Sequence, residues 1–196
     1  MTERVDVIPG ECVLFNRFIE ADESQRILES LTCEITWQQH KVRVFNRVHS
    51  VPRLTAWYGD KGTVYGYSGS VHHPLPWIPV LTGIRRRVED FLGRPFNSVL
   101  LNLYRNGSDT MGRHSDDEPE LGDNPVIASV SFGGSRRFVF HPKPGNPEPR
   151  VRTELDDGSL LIMHGSCQRR WKHSIPKTRN LARPRINLTF RTVLEH

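Results

Sequence analysis

A histidine and three carboxylates lie close together in the segment RHSDDE, residues 113–118, of a chain whose formal net charge is +5. His114 and Asp116 are two residues apart, so in an extended segment their side chains project from one face and can bind the same metal ion. A facial triad needs one more histidine and leaves three coordination positions open. The residues alone also allow a solvated polar loop, because an H-x-D spacing often arises by chance. The candidates for the third ligand are His141, His164, His173 and His196.

A second set of polar residues lies in RINLTFR, residues 185–191. If this segment is a strand, its alternation separates a polar face from an apolar one. The polar face carries Arg185, Asn187, Thr189 and Arg191, and the apolar face carries Ile186, Leu188 and Phe190. Buried arginines are costly unless they meet an anion, and two guanidinium groups suit a dicarboxylate. The alternative is a solvent-exposed face with ordinary surface arginines. In LNLY, residues 101–104, Asn102 and Tyr104 turn to one side in the same way.

The elements that must position these residues are short strands. From about Phe96 onward, β-like runs alternate with turn residues. The runs are SVLLNLY, VIASVSFG, SRRFVFH, VRTEL, GSLLIMHG, RWKHSI and RINLTFRTV. Many short strands without helices between them predict an antiparallel sandwich or jelly roll. The turn-rich segment HPKPGNPEPR, residues 141–150, predicts a loop between two of these strands.

The N-terminal half mixes helix and strand. Apolar residues at helical spacing predict one helix in ADESQRILESL, residues 21–31, and another in PWIPVLTGIRRRVEDFLG, residues 76–93. In the second helix we expect the arginines at 85–87 to face mostly solvent. We therefore divide the chain into residues 1–95, a helix and strand cover, and residues 96–196, the strand core, which pack into one compact unit.

The composition is that of a globular protein, with 36% hydrophobic and 25% charged residues. No window approaches the roughly 18 to 20 apolar residues of a membrane span, so we expect no membrane partner and a cytoplasmic protein, or a nuclear one in a eukaryote. The positive net charge and several arginine clusters are compatible with a nucleic-acid partner. The odd number and wide spacing of the cysteines favour free thiols. They are Cys12, Cys33 and Cys167.

Several motifs occur together along the chain: N-x-Y at 102–104, H-x-D-D-E at 114–118, WKH at 171–173 and R-x-N-x-T-F-R at 185–191. This ordered set resembles the AlkB family of iron- and 2-oxoglutarate-dependent dealkylating dioxygenases. The likeness extends through VFNRVHSVPRLTAWYGD, YGYSG, IASVSFG and RFVF, and it is greatest with the members that repair duplex DNA. The resemblance implies an α+β fold, in which a double-stranded β-helix (jelly-roll) core carries an N-terminal nucleotide-recognition lid.

The resemblance also implies a metal centre and a co-substrate site. Iron(II) would be bound by His114, Asp116 and His173, with dioxygen as the oxidant. The co-substrate 2-oxoglutarate would be held through its carboxylates by Arg185 and Arg191. Groups that hydrogen-bond nearby would be Asn102, Tyr104 and Asn187.

Contacts with the nucleic acid are implied as well. Tyr67 would stack on an extruded base, and Phe45 would fill the gap that the base leaves in the duplex. Without the resemblance, Phe45 would be interpreted as a core aromatic of a strand. Arg53 and Tyr65 would line the path of the DNA.

The remaining acids of RHSDDE are explained by the substrate. Asp117 and Glu118 would select a base made cationic by alkylation, or would accept hydrogen bonds from its exocyclic amine. The alternative is an exposed acidic turn that only tunes the metal ligand. No role follows for Arg113.

The implied reaction is oxidative demethylation of 1-methyladenine and 3-methylcytosine in DNA, as direct repair, with release of formaldehyde, succinate and carbon dioxide. The implied partner is alkylated DNA, double- or single-stranded, bound by a monomer. One alternative is the same chemistry mainly on RNA, whose single strands already expose bases. The others are hydroxylation of a protein side chain and a nucleic-acid-binding module that has lost catalysis.

Overall fold

The computed structural model describes residues 2–44, 47–63, 65–67, 70–179 and 183–194, but not the side chains of 42–48 and 64–72. In chain order the strands are β1 (Glu3–Ile8), β2 (Cys12–Asn16), β3 (Lys41–Val44), β4 (Arg47–Ser50), β5 (Leu54–Gly59), β6 (Tyr65–Tyr67), β7 (Ser70–His72), β8 (Ser98–Tyr104), β9 (Met111–His114), β10 (Ile127–Gly133), β11 (Arg136–Pro142), β12 (Val151–Leu155), β13 (Leu160–Met163), β14 (Trp171–Ile175) and β15 (Arg185–Arg191). The α-helices are α1 (Ala21–Glu34), α2 (Pro79–Leu92) and α3 (Cys167–Arg170).

The larger sheet has seven strands in the order β1-β2-β13-β10-β15-β8-β5, all paired antiparallel. Strand β15 lies between β10 and β8, and in its pairing with β8 Asn187 is opposite Asn102 and Arg185 is opposite Tyr104. Side chains of directly paired residues project from the same face of a sheet. This register therefore groups four of the predicted co-substrate residues.

The smaller sheet has four antiparallel strands in the order β12-β11-β14-β9. It packs face to face on the larger sheet, and apolar side chains from both sheets fill the space between them. Members of this core from the two sheets include Leu14, Ile127, Leu161, Phe138, Phe140 and Trp171. Two antiparallel sheets packed in this way form the predicted jelly roll.

Helices α1 and α2 cover the outer face of the larger sheet. Their buried residues Leu31, Leu81 and Val88 belong to a second core, which also contains the apolar residues of β15. The prediction for the helices is confirmed in outline, and α2 is capped after Leu92 by Gly93, whose φ of 63° is left-handed. Trp77, which was expected to be in this helix, precedes it.

The expectation that the arginines of α2 face solvent is wrong for Arg85. Its guanidinium forms ion pairs with Asp60 at 2.8 Å and Glu89 at 2.9 Å, and its side chain is only 22% exposed. Arg87 is half-exposed and donates to the carbonyl of Phe18 at 2.9 Å. Helical spacing alone could not predict acids from other elements.

Both faces of β15 are buried, which the alternation in its sequence did not require. The apolar face packs under the helices, and the polar face lies between the sheets, with Arg185 only 1% exposed. The alternative of ordinary surface arginines is therefore wrong.

The first 95 residues contribute β1, β2 and β5 to the larger sheet and also form two small hairpins, β3–β4 and β6–β7. The division at residue 95 and the role of these hairpins as a lid stay predictions. In the described part of the chain, no helix has the length and apolar character needed to cross a membrane.

Candidate metal centre and co-substrate pocket

Pairing of β9 with β14 brings two histidines together. His114 is the last residue of β9 and pairs directly with His173, so that their ring centroids are 4.2 Å apart. Phe138 of β11 stacks on the His173 ring at 5.2 Å with an interplanar angle of 20°. The smaller sheet therefore fixes His173 between an aromatic ring and the second histidine.

Asp116 completes the group just beyond the end of β9. Its carboxylate Oδ2 is 3.7 Å from Nε2 of His173. One potential ligand atom from each of His114, Asp116 and His173 lies within 4.8 Å of the others. Asp116 is 2% exposed, and its backbone N–H donates to the side-chain oxygen of Gln168 at 2.9 Å.

The protonation states of these residues suit a metal ion. Burial, followed by the neighbouring His114, lowers the pKa of His173 to about 3, so its imidazole is neutral and keeps a lone pair. Burial alone would raise the pKa of Asp116, but Arg191 and the two histidines lower it below its ordinary value. His114 Nδ1 lies 3.0 Å from the carbonyl of Gly112, which can only accept, so Nδ1 is the donor there and Nε2 is the ring nitrogen that would face a metal. Two imidazole nitrogens and a carboxylate are the ligands that iron(II) takes in facial triads.

Arg185 is a buried cation with unused hydrogen-bond donors. Its Nη2 donates to Ser131 Oγ at 3.0 Å, whereas Nε and Nη1 are buried without a hydrogen-bond partner among the described residues. Burial lowers the pKa of Arg185 to about 10, which still leaves it charged near neutral pH. A buried guanidinium with two unpaired donors fits the carboxylate of a bound acid, because an unpaired buried charge is strongly unfavourable.

Tyr104 and Asn187 lie beside this guanidinium. The ring of Tyr104 is 5.3 Å from the Arg185 Cζ, and burial raises the pKa of its hydroxyl. The amide of Asn187 donates to Ser129 Oγ at 2.7 Å, and its oxygen accepts from Thr189 Oγ1 at 3.1 Å. Thr189, which had no assigned role, therefore orients Asn187.

Asn102 is held by Arg53. Arg53 Nε donates to Asn102 Oδ1 at 2.7 Å, and its Nη1 donates to the carbonyl of Thr110 at 3.2 Å. Arg53 is half-buried, and its hydrogen bond to Asn102 places it next to the co-substrate residues. Its predicted contact with DNA stays a prediction.

Arg191 contacts the metal side of the site. Its Nη2 donates to Oδ1 of Asp116, and both side chains are buried. This ion pair orients the carboxylate and links the larger sheet to the end of β9. The predicted contact of Arg191 with 2-oxoglutarate stays a prediction.

The two acids next to Asp116 differ in their surroundings. Asp117 forms an ion pair with Lys143 at 2.7 Å and accepts from Ser115 at 2.9 Å. Glu118 is half-buried, and its Oε2 is buried without a hydrogen-bond partner in the described part of the chain. Glu118 is therefore the better placed of the two to accept a hydrogen bond from a substrate.

The aromatic residues predicted to contact the base belong to or follow the small hairpins of the N-terminal part. Tyr65 and Tyr67 lie in β6, where Tyr65 pairs with His72 and Tyr67 with Ser70 of β7. The structure describes their backbone but not their side chains. Phe45 lies outside the described residues, between the paired strands β3 and β4. Their substrate contacts stay predictions.

The structure adds residues that the motifs did not indicate. Gln168 lies on the short helix α3, and no sequence pattern pointed to its contact with Asp116. Ser129 and Ser131 could have been found, because alternation in β10 puts both on the face shared with Arg185 and Asn187.

The chain matches the 2OG-Fe(II) oxygenase superfamily over residues 11–191. It is 44% identical over 188 residues to human alpha-ketoglutarate-dependent dioxygenase alkB homolog 3, covering 92% of this chain and 65% of that protein. It is 46% identical to human DNA oxidative demethylase ALKBH2, covering 93% of this chain and 72% of that protein. The chain thus spans just under two thirds of human alkB homolog 3. A solved structure of OsALKBH1 superposes with a TM-score of 0.62 at 20% identity, covering 94% of this chain and 99% of that chain, and shares the fold.

The fold, the site and the match over most of the chain identify a 2OG-Fe(II) oxygenase. Within that superfamily the chain belongs to the AlkB family. Membership implies iron(II), 2-oxoglutarate and dioxygen as cofactor, co-substrate and oxidant, and the buried residues described above fit the first two.

Proposed function

We propose that this protein is an iron(II)- and 2-oxoglutarate-dependent dioxygenase that demethylates 1-methyladenine and 3-methylcytosine in DNA. The observation that carries the proposal is the packing of the His114–Asp116–His173 group in the same interior as Arg185, a buried cation with two unused donors. A metal site beside a carboxylate site is what this chemistry requires. The name DNA oxidative demethylase, given to relatives 45% and 46% identical to this chain, supports DNA as the substrate.

When bound, iron and 2-oxoglutarate supply oxidation of the N-methyl carbon by dioxygen, after which that carbon leaves as formaldehyde. The chain's own residues provide position and charge. Arg185 would hold one carboxylate of the co-substrate, with Tyr104 and Asn187 beside it. Arg191 and Gln168 fix the orientation of Asp116. The ring of Phe138 covers His173 and excludes water from one side of the group.

Recognition of the damaged base would use charge and stacking. Methylation at N1 of adenine or N3 of cytosine gives a base that is cationic near neutral pH and easier to extrude, since it no longer pairs. Glu118 has an unsatisfied carboxylate oxygen, which supports its proposed contact with the exocyclic amine. Asp117 is less suited to contact the base, because its carboxylate already forms an ion pair with Lys143. Tyr67, Tyr65 and Arg53 complete the proposed substrate site.

The direct test is an aerobic assay with iron(II), ascorbate and 2-oxoglutarate on methylated oligonucleotides, in which repaired base and formaldehyde are measured together. Matched duplex DNA, single-stranded DNA and RNA are the arms, and turnover on DNA is expected. A strong preference for RNA would show that RNA, and not DNA, is the main substrate. Turnover of 2-oxoglutarate stimulated only by peptides would favour protein hydroxylation, and no turnover at all would favour a binding module.

The role of Phe45 is tested in the same assay. Phe45→Ala should lower kcat/KM on duplex substrates by about tenfold and on single strands by much less, because only a duplex leaves a gap to fill. Equal losses on both substrates would instead support the interpretation of Phe45 as a core aromatic residue.

We also propose that the enzyme acts as a monomer in the cytoplasm, or in the nucleus of a eukaryote. Size-exclusion chromatography with light scattering tests whether it is a monomer.

A further inference from the structure

The outer face of the smaller sheet carries charged side chains that the reaction does not use. Alternation along β11 sends Phe138 and Phe140 into the core, so Arg137, Val139 and His141 point outward. Arg113 and Ser174 likewise adjoin the inward-facing His114 and His173 in sequence. The outer face therefore lies one strand layer behind the metal centre.

A groove with a volume of about 390 Å³ lies on this face. Its lining includes Arg113, Arg137, Arg150, Arg152, His141 and Ser174, a set we call the basic groove. Three of the four arginines, those at 113, 150 and 152, are exposed, and their side chains form no hydrogen bond or ion pair with any described residue. Only Arg137 has an acidic partner, Glu154 at 3.2 Å. The groove thus concentrates three guanidinium charges that no acid of the described residues pairs with.

The pKa of His141 is affected by this positive charge. Burial lowers its pKa, and Arg113, Arg150 and Arg152 lower it further. Its Nε2 lies 2.9 Å from the Ser174 hydroxyl, while Nδ1 is buried without a hydrogen-bond partner in the described part of the chain.

The spread of the charges indicates the kind of anion. Arg152, Arg137 and Arg113 lie on β12, β11 and β9, and β14 separates the last two strands. Three strand spacings of about 4.8 Å give a width of about 14 Å. A single small anion would meet only one or two of these arginines, whereas a nucleic-acid strand carries a phosphate about every 3.4 Å along its helix axis.

We propose that the basic groove binds phosphate groups, and specifically consecutive phosphates of the nucleic-acid strand outside the nucleotide that enters the metal site. This inference rests on the proposed function for the identity of the polymer. It gives Arg113 a role on the face of the sheet opposite to the iron ligands. The contacts would be independent of base sequence, since the lining offers guanidinium groups and one imidazole.

The test compares two double variants of equal charge change. In Arg113→Gln/Arg152→Gln two groove arginines are lost, and in Arg26→Gln/Arg86→Gln two exposed arginines of α1 and α2 are lost, on the other side of the larger sheet. Fluorescence anisotropy with an unmodified 20-nucleotide single strand is measured from about 50 to 200 mM salt, a range in which phosphate contacts dominate. The groove variant should lower the slope of log affinity against log salt by about 1.4, at about 0.7 per lost phosphate contact, and should bind about tenfold more weakly at low salt. The helix variant should bind like the unsubstituted protein.

Two further arms separate the sources of phosphate. Loss of 2-oxoglutarate-dependent turnover in the groove variant should be larger on a methylated 20-mer than on a methylated trinucleotide, which carries only two phosphodiester groups. In the second arm, binding of inorganic pyrophosphate, a free anion, is titrated. If the groove variant loses saturable pyrophosphate binding but still binds the oligonucleotide like the unsubstituted protein, the groove binds free phosphates and not the nucleic-acid strand. Equal slopes in both variants together with no pyrophosphate binding would overturn the proposal. Failure of the proposed function would be seen separately, because the unsubstituted protein would then release no formaldehyde. The salt dependence of oligonucleotide binding can still be measured in that case.

Discussion

The two groups of arginines on this jelly roll carry the same side chain in opposite surroundings. Arg185 and Arg191 are buried between the sheets and are oriented by Ser131 and Asp116. The arginines of the basic groove are exposed on the outer face and mostly lack partners. Charge interactions are strong and geometrically specific where water is excluded, and they are weak and screened by salt where it is not. Position in the sheet therefore decides whether an arginine selects one anion or attracts many.

The largest effect is expected from Asp116→Ala on the inner side. Turnover should fall to less than about a thousandth, because catalysis depends on a metal that loses its only carboxylate ligand. Salt-dependent binding of unmodified DNA should persist, since the basic groove lies on the other face. Formaldehyde release and anisotropy measure the two properties.

Removal of Asp116 also leaves Arg191 buried without its acid, so His173→Ala serves as a second variant. Retained turnover in either variant would contradict the assigned triad. A lost salt slope in both, with the fold intact by circular dichroism, would show that the two faces are not independent.

The next effect concerns the buried arginine itself. Arg185→Gln should raise the KM for 2-oxoglutarate by about 100-fold, or about 2.7 kcal/mol, because a charge-assisted hydrogen bond contributes about 1.5–3 kcal/mol. Arg185→Lys should recover part of this loss, since it keeps the charge without the planar fork. Steady-state kinetics with varied 2-oxoglutarate check both variants.

The matched control is Arg26→Gln, an exposed arginine of α1, for which the KM should not change. If Arg185→Gln lowers kcat and leaves the KM for 2-oxoglutarate as it was, the carboxylate contact belongs to another residue.

A smaller effect is expected at Gln168, which acts only through Asp116. Gln168→Ala should weaken metal binding by about 10-fold, because residues that orient a ligand typically contribute 10–100-fold. Titration with cobalt(II), followed by its visible absorption, measures the affinity without turnover. Gln25→Ala on the exposed side of α1 is the control, and an unchanged affinity in Gln168→Ala would show that the amide contact is not needed.

The last effect is expected outside the site, on the stability of the fold, from Glu11, which contacts Trp171 at the start of β14. Burial alone would raise the pKa of Glu11, but hydrogen bonds from Ser166, Trp171 and Arg170 lower it below its ordinary value. The carboxylate therefore stabilises the fold fully above the unfolded-state pKa of about 4.3, and this stability is lost as pH falls through the lower folded-state value. Glu11→Gln should cost about 1–2 kcal/mol at pH 7, and the difference should shrink below about pH 4. Urea unfolding at both pH values measures it, and a difference independent of pH would assign the loss to packing.

Much of the fold could be predicted because its elements have local signals. The runs SVLLNLY and VRTEL coincide with β8 and β12, since alternation and flanking turn residues define short strands. Arg85 could not be predicted, because Asp60 comes from another part of the chain. The same holds for the contact of Gln168 with Asp116, which joins residues 52 positions apart.

Within the site, the residue types of RHSDDE and RINLTFR were sufficient to suggest a metal ligand set and a carboxylate site, and the ordered motifs indicated the family. The sequence by itself thus determined the chemical groups and the strands that carry them, because both depend on local pattern. Only the tertiary structure decided that His173 meets His114, that both faces of β15 are buried and that Arg113 joins a basic groove. Strand order and sheet packing bring distant residues together, and local alternation specifies a face without specifying what covers it.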